Sequence, residues 1–514
     1  MRSLASLPAL ARQRPIVTAL LVLITLLGGW MRFDAIGSST RVSVDERSYL
    51  GIANNLREHR SYAYGSDPLH WAPGTPFLFA TAMELSGTGP LDNREVGASN
   101  APLYAQAFVG TLAILAVFAL AAWLGGAIPG LIAAFFTAIY DPLILVARSY
   151  LSEPLGGLFL VLAVLAICLA IARPQRTKLL CLGAGALLGL TVLTRNDMLL
   201  LFGVLPALAL VMVWRREHSL RTGFTVSALI AAGAVITVLP WVMYASQETK
   251  KFTPITTAGP SSLWVATYLP AGGRQIILKR QFMDEVCRTF PDRPDACGVS
   301  ATQMDMRLIF ELLNLRHPEL SQKEAIQAEL DRNIRDYAFG QPVQFGEMLA
   351  NKSTRIWGRP WGGGALGRQE SSVLQHKILL GLAVLGIGAG LIWGGRRRRY
   401  ILLAAAALFT VTALNTIFVS ESRMSLRMTP LLFAVGIGGF GAALRARRGD
   451  DEPLAPNGDQ PQESAETAAD ATSDDDKAAP SESTPESADS APAETGTSDE
   501  HVGAPAQRGD VSPA

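Results

Sequence analysis

Residues 41–49 read RVSVDERSY and place two adjacent carboxylates directly after the first apolar run of the chain. The residues that follow, 48–58 (SYLGIANNLRE), carry apolar side chains on one side at helical spacing. Asp45 and Glu46 would therefore stand at the N-terminus of an interfacial helix, where the helix dipole stabilises ionised carboxylates. The pattern predicts a fixed acidic pair at a membrane surface rather than solvated charges in a loop.

The composition is typical of a protein embedded in a membrane. Of 514 residues, 49% are hydrophobic and 17% are charged, whereas soluble domains carry about 25% charged residues. Ten apolar runs are long enough to cross about 30 Å of hydrocarbon. They cover residues 15–33, 103–124, 127–147, 152–173, 178–194, 197–214, 223–244, 376–394, 400–419 and 427–444. We predict an all-α polytopic membrane protein with about ten transmembrane helices, interfacial helices and a small external loop domain.

The basic residues indicate which helix ends face the cytoplasm, because short cytoplasmic loops are enriched in Lys and Arg. With ten spans, all five basic clusters fall on one side. They are Arg2, Arg12 and Arg14; Arg173, Arg176 and Lys178; Arg215, Arg216 and Arg221; Arg396–Arg399; and Arg445, Arg447 and Arg448. If the short apolar run at 73–85 also crossed the membrane, every later basic cluster would lie outside. We therefore expect a helix on the external face there. The expected location is the bacterial cytoplasmic (inner) membrane, with both termini in the cytoplasm and the first span uncleaved.

The C-terminal segment differs from the rest of the chain in charge. Residues 449–514 hold seventeen acidic residues against Lys477 and Arg508, a net charge of −15. Since the whole chain carries +1, residues 1–448 carry +16. A segment with so few large apolar residues cannot offset the entropy that it would lose on folding. The predicted domains are a membrane domain over 1–444, which includes external segments 35–102 and 245–375, and a disordered acidic cytoplasmic tail over 445–514.

The longer external segment, residues 245–375, is expected to form the small external domain. Residues 321–337 (SQKEAIQAELDRNIRDY) have the spacing of an amphipathic helix, which we expect to pack on the membrane domain. Cys287 and Cys297 flank a short loop, and an oxidising compartment would favour a disulfide between them. Two free thiols are the alternative. A zinc site is disfavoured, because no His lies nearby at ligand spacing.

Ionisable residues collect toward the external ends of the spans, and such residues at membrane depth are candidates for function. The candidates are Asp45 and Glu46, Asp141, Glu153, Arg195 with Asp197, and Arg423 with Arg427. Each also has a structural explanation, such as a solvated loop charge, a turn pair or an anchor at the interface. Their one-sided distribution favours a site that opens to the outside.

Together, these motifs resemble those of the GT-C type polytopic membrane glycosyltransferases, in the bacterial branch similar to protein O-mannosyltransferases and lipid A aminoarabinose transferases. The Asp-Glu pair after the first span is followed by a Pro-rich step, WAPGTP at 71–76. Further matches are DP at 141–142, LSEP at 151–154, LTR at 193–195, and ESR at 421–423 with Arg427 and Pro430. The resemblance covers roughly residues 15–445. It departs from the family at 424–426, since the family often has Arg-Tyr-Arg there, followed by Pro.

The resemblance implies transfer of a hexosyl or pentosyl unit from a polyprenyl-phosphate carrier to an envelope glycan, lipid or protein on the external (periplasmic) face, with inversion. Asp45 would be the general base, and Glu46 would orient it or replace it. Arginines would hold the lipid phosphate. The candidates for binding the lipid phosphate or the sugar are Arg195, Arg423, Arg427, Glu153 and Asp141. This chemistry requires no cofactor and no nucleic acid, and a divalent metal stays open.

Two other functions suit a polytopic chain with a polar external rim. A lipid or sugar transporter would predict internal repeats and charges near the bilayer midplane, and the sequence has no obvious repeat. A polysaccharide polymerase or ligase also uses a large external loop and arginines, but the place of the Asp-Glu pair after the first span favours the glycosyltransferase. Neither the sugar nor the acceptor can be deduced from the sequence.

Overall fold

The computed structural model describes residues 15–38, 44–63, 68–89, 99–172, 178–217, 219–301, 303–362 and 369–449. Several predictions fall outside these ranges. They concern Arg2, Arg12, Arg14, Arg173, Arg176 and the acidic tail beyond residue 449. The bends, helices and contacts below therefore refer to the described residues.

Every regular element in the described ranges is a helix, which confirms the predicted all-α class. The α-helices, numbered in chain order, are α1 (Pro15–Asp34), α2 (Val44–His59), α3 (Gly74–Leu85), α4 (Ala101–Gly125), α5 (Ala127–Ile139), α6 (Asp141–Leu145), α7 (Glu153–Ala172), α8 (Lys178–Thr194), α9 (Leu201–Glu217), α10 (Leu220–Thr249), α11 (Gly259–Thr267), α12 (Gln275–Thr289), α13 (Met306–Arg316), α14 (Gln322–Asn333), α15 (Pro342–Gly358), α16 (Gln369–Trp393), α17 (Arg398–Ile417) and α18 (Thr429–Arg447).

Eight helical stretches of the described chain are long and apolar enough to cross a membrane, so this is a multi-pass membrane protein. They are Pro15–Gly37, Ala101–Gly125, Glu153–Ala172, Asn196–Arg216, Leu220–Thr249, Val373–Trp393, Gly395–Ile417 and Thr429–Arg447. Two of the ten predicted spans differ from a straight crossing. The run at 127–147 is a bent pair, α5 and Asp141–Arg148, which counts as a ninth span if taken as one. The run at 178–194 is α8, which is apolar but has only 17 residues.

The bend in the pair has a local cause. Tyr140 between the two helices is extended, with φ −74° and ψ 110°, and Pro142 stands at the start of α6. Proline is favoured in the first turn of a helix, where no intrahelical N–H bond is needed. The chain thus stops one helix at Ile139 and begins another at Asp141, with a change of direction of 58°.

Glycines allow two pairs of apolar helices to pack closely. A Cβ atom added to Gly185 of α8 or to Gly233 of α10 would overlap the backbone of the other helix. The same holds for Gly386 of α16 and Gly436 of α18. Small residues let transmembrane backbones approach, which gains van der Waals contact that lipid alone does not supply.

The helix bundle has two chemically different ends. At one end, Arg216 donates to the Ala172 carbonyl at the C-terminus of α7, and Arg397 lies over the Trp123 ring near the end of α4. We call this the arginine end. At the start of α4, Gln106 Nε2 donates to the Ser149 carbonyl at 3.1 Å. We call that side, where α2 and α3 pack, the rim end. Helix α4 has 25 residues and is therefore about 37 Å long.

The two short helices at the rim end are not among the helices long and apolar enough to cross a membrane. Helix α2 begins at Val44, so Asp45 and Glu46 lie inside its first turn and not ahead of a helix over 48–58 as expected. The predicted apolar side of α2 is buried, including Tyr49, Ile52 and Ala53. Helix α3 has 12 residues, about 18 Å, which is too short for about 30 Å of hydrocarbon.

Helices α11 to α14 pack around a hydrophobic core of their own, and we call residues 259–333 the loop domain. Its core includes Trp264, Leu278, Phe282, Leu308, Leu312, Ile326 and Leu330. The prediction for residues 321–337 was wrong about the partner: α14 packs mainly on α11 and α13 inside this core and not on the membrane spans. The reason is that the loop domain supplies enough apolar surface to cover the helix.

A disulfide and a buried lysine hold the loop domain in place. Cys287 and Cys297 form the disulfide, at a sequence separation of ten residues. Lys352 of α15 is fully buried, and its Nζ donates to the carbonyls of Ala266 at 3.1 Å and Ile417 at 3.3 Å. These carbonyls lie at the C-terminal ends of α11 and α17, where a hydrogen-bond donor satisfies groups that have no intrahelical partner. Burial lowers the pKa of Lys352 to about 7. Lys352 thereby fastens the loop domain to a membrane span.

Candidate functional site

Charged side chains from four distant segments meet at the rim end of the bundle. The segments are the first turn of α2, the start of α7, the turn between α8 and α9, and the turn before α18. We call the group the ion cluster. Its members are Asp45, Glu153, Arg195, Asp197, Arg423 and Arg427.

The outermost contact of the ion cluster joins Asp45 to Arg423. Arg423 Nη2 donates to Asp45 Oδ2 at 2.7 Å, although the two residues are 378 positions apart in the chain. The side chains of Arg423 and Asp45 are 17% and 32% exposed. This pair is therefore the part of the cluster that solvent or a ligand reaches most easily.

Glu153 lies at the centre of the cluster. It is the first residue of α7, and its side chain is 1% exposed. Its Oε1 atom is 3.2 Å from Arg423 Nε and 3.3 Å from Arg195 Nη1. One carboxylate oxygen thus holds two guanidinium groups that arrive from different parts of the chain.

The inner part of the cluster is formed by Arg195, Asp197 and Arg427. Arg195 meets Asp197 through two contacts of 3.3 Å, from Nε to Oδ1 and from Nη2 to Oδ2. Asp197 Oδ2 also accepts a hydrogen bond from Arg427 Nη2, which donates to Asn415 Oδ1 at 2.6 Å as well. The predicted turn pair of Arg195 and Asp197 therefore forms, and it is also part of a larger network.

Uncharged groups complete the network. Ser152 Oγ accepts from Arg195 Nη1 at 2.9 Å and from the Tyr49 hydroxyl at 3.3 Å, so it links α2 to the start of α7. Met424 Sδ accepts from Arg195 Nη2 at 3.5 Å and from Arg427 Nη1 at 3.4 Å. Burying ions is costly unless they are paired and their hydrogen bonds are satisfied. Each of the three carboxylates and three guanidinium groups has at least one oppositely charged partner here.

The pairing fixes the charge state of the accessible pair. Burial by itself would raise the pKa of Asp45, but the charge and hydrogen bond of Arg423 outweigh it and hold that pKa below its usual value. Burial by itself would lower the pKa of Arg423, and the carboxylates of Glu153 and Asp45 raise it above its usual value. Both side chains are therefore ionised at neutral pH.

Arg427 has different surroundings from those expected of a phosphate ligand. Its side chain is 0% exposed, and its two terminal nitrogens are engaged by Asp197, Asn415 and Met424. Burial and the charge of Arg195 lower the pKa of Arg427 to about 10, so it is still protonated at neutral pH. A ligand could reach this guanidinium only if the surrounding helices moved.

Two predicted site residues lie outside the cluster. Glu46 points away from Asp45, and its Oε1 accepts the backbone N–H of Tyr150 at 2.9 Å. Neighbouring residues on a helix face different directions, because each turn holds 3.6 residues. Asp141 begins α6 next to the bend at Tyr140 and is not a member of the cluster either.

Ser152 and Asn415, which the structure brings into the network, were not predicted as site residues from the sequence. Asn415 is buried within the apolar run at 400–419, and a polar residue inside a span was the signal that could have identified it. Nothing in the LSEP motif states that its serine meets Tyr49 and Arg195.

The described residues offer no ready metal site. Within those ranges, no three His, Cys, Asp or Glu side chains lie close enough together to hold a metal ion. Each carboxylate of the ion cluster contacts at least one arginine. The contacts that organise this cluster are therefore ion pairs and hydrogen bonds.

The chain resembles known proteins in structure and not in sequence. No protein-family model and no curated protein matches it. The oligosaccharyltransferase of Archaeoglobus fulgidus, tethered with an acceptor peptide, matches with a TM-score of 0.50 and 16% identity over 84% of this chain and 50% of that one. The same organism's AglB, in complex with an inhibitory peptide and a dolichol-phosphate, matches with a TM-score of 0.49 and 16% identity over 82% and 50%. ArnT from Cupriavidus metallidurans, bound to undecaprenyl phosphate, has a TM-score of 0.37 and 15% identity over 82% and 78%.

These similarities concern the fold. The chain spans about half the length of the oligosaccharyltransferases that it matches. At 16% identity, the match with a TM-score of 0.50 says nothing about individual residues or substrates. At the level of fold, it confirms the resemblance to the GT-C polytopic membrane glycosyltransferases that the sequence indicated.

The ion cluster should be a major source of stability. Changing Arg427 to Gln leaves Asp197 buried beside one arginine fewer, and breaking a buried ion pair costs about 3–5 kcal/mol. We expect Arg427→Gln to lower the Tm of the detergent-solubilised protein strongly. The matched control is Arg293→Gln, whose pairs with Asp295 and Glu311 are exposed and should contribute little to stability. Equal shifts in Tm for the two variants would contradict the proposed stabilising role.

Proposed function

We propose that the chain is a membrane glycosyltransferase that moves a sugar from a polyprenyl-phosphate carrier to an acceptor on the external face of the bacterial cytoplasmic membrane. The observation that carries this proposal is the pair between Asp45 and Arg423 at the accessible edge of the ion cluster. It offers a candidate base and a candidate phosphate ligand at one place, which is the combination that this reaction needs. The GT-C fold supports the proposal but does not identify the donor.

The proposed reaction is a single displacement at the anomeric carbon. An acceptor hydroxyl attacks that carbon, and Asp45 takes the hydroxyl proton as the new glycosidic bond forms. The bond between the anomeric carbon and the phosphate oxygen breaks at the same time, and its electron pair leaves with the polyprenyl phosphate. Attack from the side opposite to the phosphate inverts the anomeric configuration.

Arginines would stabilise the phosphate as it leaves. A guanidinium group binds phosphate oxygens through paired, charge-assisted hydrogen bonds. Arg423 and Arg195 are 17% and 14% exposed, so we assign them to the donor phosphate. Fixed charges aimed at the developing negative charge stabilise the transition state without reorganisation. We propose no cofactor, and a divalent metal is the alternative for this role.

Donor binding would also activate the base. In the free protein, Asp45 is paired with Arg423 and its pKa is lowered, which makes it a weak base. A phosphate that binds Arg423 competes with Asp45 for the same guanidinium. The carboxylate would then lose its stabilising partner and gain an anionic neighbour, and both changes raise its pKa. The base would therefore become stronger only when the donor is present.

The remaining predicted residues receive supporting roles in this proposal. Arg427 holds Asp197 and, through it, Arg195 in place. Glu46 fixes the first turn of α2 to the backbone at Tyr150 and so positions Asp45. Asp141 stays a candidate for contact with the sugar, without a role derived from its contacts. The acceptor is an envelope glycan, lipid or protein that carries a nucleophilic hydroxyl.

Asp45→Asn should abolish transfer and retain donor binding. Asparagine cannot accept the proton at neutral pH, but it leaves Arg423 free for the phosphate. The assay incubates purified protein with radiolabelled polyprenyl-phosphate sugars and membrane extract, with and without a chelator of divalent metals, and donor affinity is measured separately. The control is Asp34→Asn, an exposed carboxylate at the end of α1, which should transfer sugar normally.

Several outcomes of this assay would overturn the proposal. Normal transfer by Asp45→Asn would remove the base. Donor binding by the wild type with no transfer to any extract component would favour the transporter instead. Transfer that stops when the chelator is added would replace the arginine-only account of the phosphate site with a metal-dependent one.

The pH dependence tests whether the donor breaks the pair between Asp45 and Arg423. The acid limb of kcat/KM reports the free enzyme, in which the pKa of Asp45 is lowered, and the acid limb of kcat reports the complex with donor. Activity is lost as the pH falls through the pKa of the base, so the loss in kcat should begin at a higher pH than the loss in kcat/KM. The phosphodiester of the donor stays ionised throughout. Coincident acid limbs, or the reverse order, would contradict displacement of Asp45 by the phosphate.

A further inference from the structure

A small cavity lies behind the ion cluster, and α1, α4, α5, α6, α7 and the start of α18 surround it. Its volume is about 20 Å³. Apolar groups such as Leu143, Pro154 and Leu426 form most of its wall, and the polar residues Arg32, Thr137 and Glu153 line it as well. The Thr137 hydroxyl already donates to the Ala133 carbonyl. A site of this size can hold one water molecule, which needs at least about 10–15 Å³ and two or more polar partners.

Arg32 supplies one polar group to the cavity. It is the largest polar residue buried in α1, with 1% exposure. Its terminal nitrogens donate to the carbonyls of Gly28 at 2.8 Å, Ala138 at 3.1 Å and Thr137 at 2.8 Å, and so cover the C-terminal end of α5. Its Nε atom is buried and has no hydrogen-bond partner among the described protein groups.

Glu153 supplies the other polar group. Its Oε1 atom contacts Arg423 and Arg195, whereas its Oε2 atom is buried and has no hydrogen-bond partner in the described part of the chain. Leaving a buried charged oxygen without a hydrogen bond is strongly unfavourable. A donor at this position would therefore be strongly favoured.

We propose that this cavity binds one water molecule, which accepts a hydrogen bond from Arg32 Nε and donates one to Glu153 Oε2. One donor and one acceptor are the minimum that a buried water requires. The water would extend the ion cluster from the rim end into α1, where the fourth arginine of the network lies. Arg32 becomes a positioning residue, because it acts on the site through the water and Glu153.

The surroundings of Arg32 suit this arrangement. A Cβ atom on Gly110 of α4 would lie 3.0 Å from Arg32 Nε and 3.1 Å from its Cδ. The glycine therefore leaves room for the middle of the arginine side chain, which is where Nε is located. Through Glu153, the water would help to fix Arg423 and Arg195, the two groups assigned to the donor phosphate. That consequence rests on the proposed function, whereas the water site does not.

The most direct test of the water site is an experimental density map of the wild-type protein that resolves ordered water. We expect one density peak in the cavity, within about 2.7–3.2 Å of both Arg32 Nε and Glu153 Oε2. A direct contact between Arg32 and Glu153, or a cavity without density at the same map quality, would overturn the proposal.

A thermal double-mutant cycle tests the coupling without any enzymatic assay. Arg32→Lys keeps the positive charge but removes the Nε–H group, and Glu153→Gln weakens the acceptor. The Tm shift caused by Arg32→Lys should be clearly smaller in the Glu153→Gln background than in the wild type. The control cycle pairs Arg32→Lys with the exposed Arg293→Gln, where the shifts should add. Additive shifts in both cycles would overturn the coupling.

Kinetics separate positioning from general destabilisation. Gly110→Ala displaces Arg32 without changing any charge, and both Gly110→Ala and Arg32→Lys should raise the KM for the lipid-linked donor about 3- to 10-fold, with kcat little changed. The control Gly183→Ala adds a Cβ to an exposed helical glycine with open space around it and should leave KM unchanged. A fall in kcat at constant KM would indicate loss of folded protein and overturn the positioning role. If the wild type transfers no sugar, the proposed function fails, and the density map and the thermal cycle still decide the water site.

Discussion

The buried carboxylate of Glu153 is the interaction on which the rim end of the protein depends. One of its oxygens holds Arg195 and Arg423, which come from turns more than two hundred residues apart in the chain. Because burying a charge is costly unless it is paired or well hydrogen-bonded, these two arginines are stable here only together with their carboxylates. This requirement fixes the mutual positions of α2, α7, α8 and α18, and it does so with a side chain that is 1% exposed.

The arrangement of the helices follows from the same constraint. Apolar spans that pack through glycines form a bundle, but this packing alone does not determine how the polar ends of the helices are arranged. The ion cluster, together with the contacts from Gln106 and Glu46 to the segment at 149–151, makes one end specific. The exposure of the charged side chains thus increases from the deeply buried Arg427 to the accessible pair of Asp45 and Arg423. The buried part of the cluster holds the site in place, and a substrate can reach the exposed part.

The sequence predicted the helices better than it predicted the contacts. Apolar runs and arginine clusters were enough to find the spans, because a membrane imposes length and composition on each helix. The bend at Tyr140 and the packing of α14 on the loop domain depend on tertiary partners, which periodicity does not reveal. The same limit applies to the site. Asp45, Glu153, Arg195, Arg423 and Arg427 were selected by their charge at the ends of spans, but the burial of Arg427 was not visible in the sequence.

Glu46 illustrates why neighbouring residues of the same type can have different roles. The dipeptide suggested two exchangeable carboxylates, yet the helix turns them toward different partners, Arg423 for Asp45 and the Tyr150 backbone for Glu46. Conversely, Arg32 lies 121 residues before Glu153 and was read only as part of an apolar run, although both line one cavity. The proximity of residues that are so far apart in the chain arises from the packing of whole helices and cannot be deduced from local sequence.

The central claim is that a lipid-linked phosphate takes the place of Asp45 on Arg423. The most direct measurement is an experimental structure of the protein in lipid nanodiscs with a polyprenyl phosphate bound, compared with the same preparation without it. The account predicts phosphate oxygens within hydrogen-bond distance of Arg423, and an Asp45 carboxylate that has moved out of contact with that arginine. A phosphate bound elsewhere, or one bound while the 2.7 Å contact between Asp45 and Arg423 persists, would contradict it.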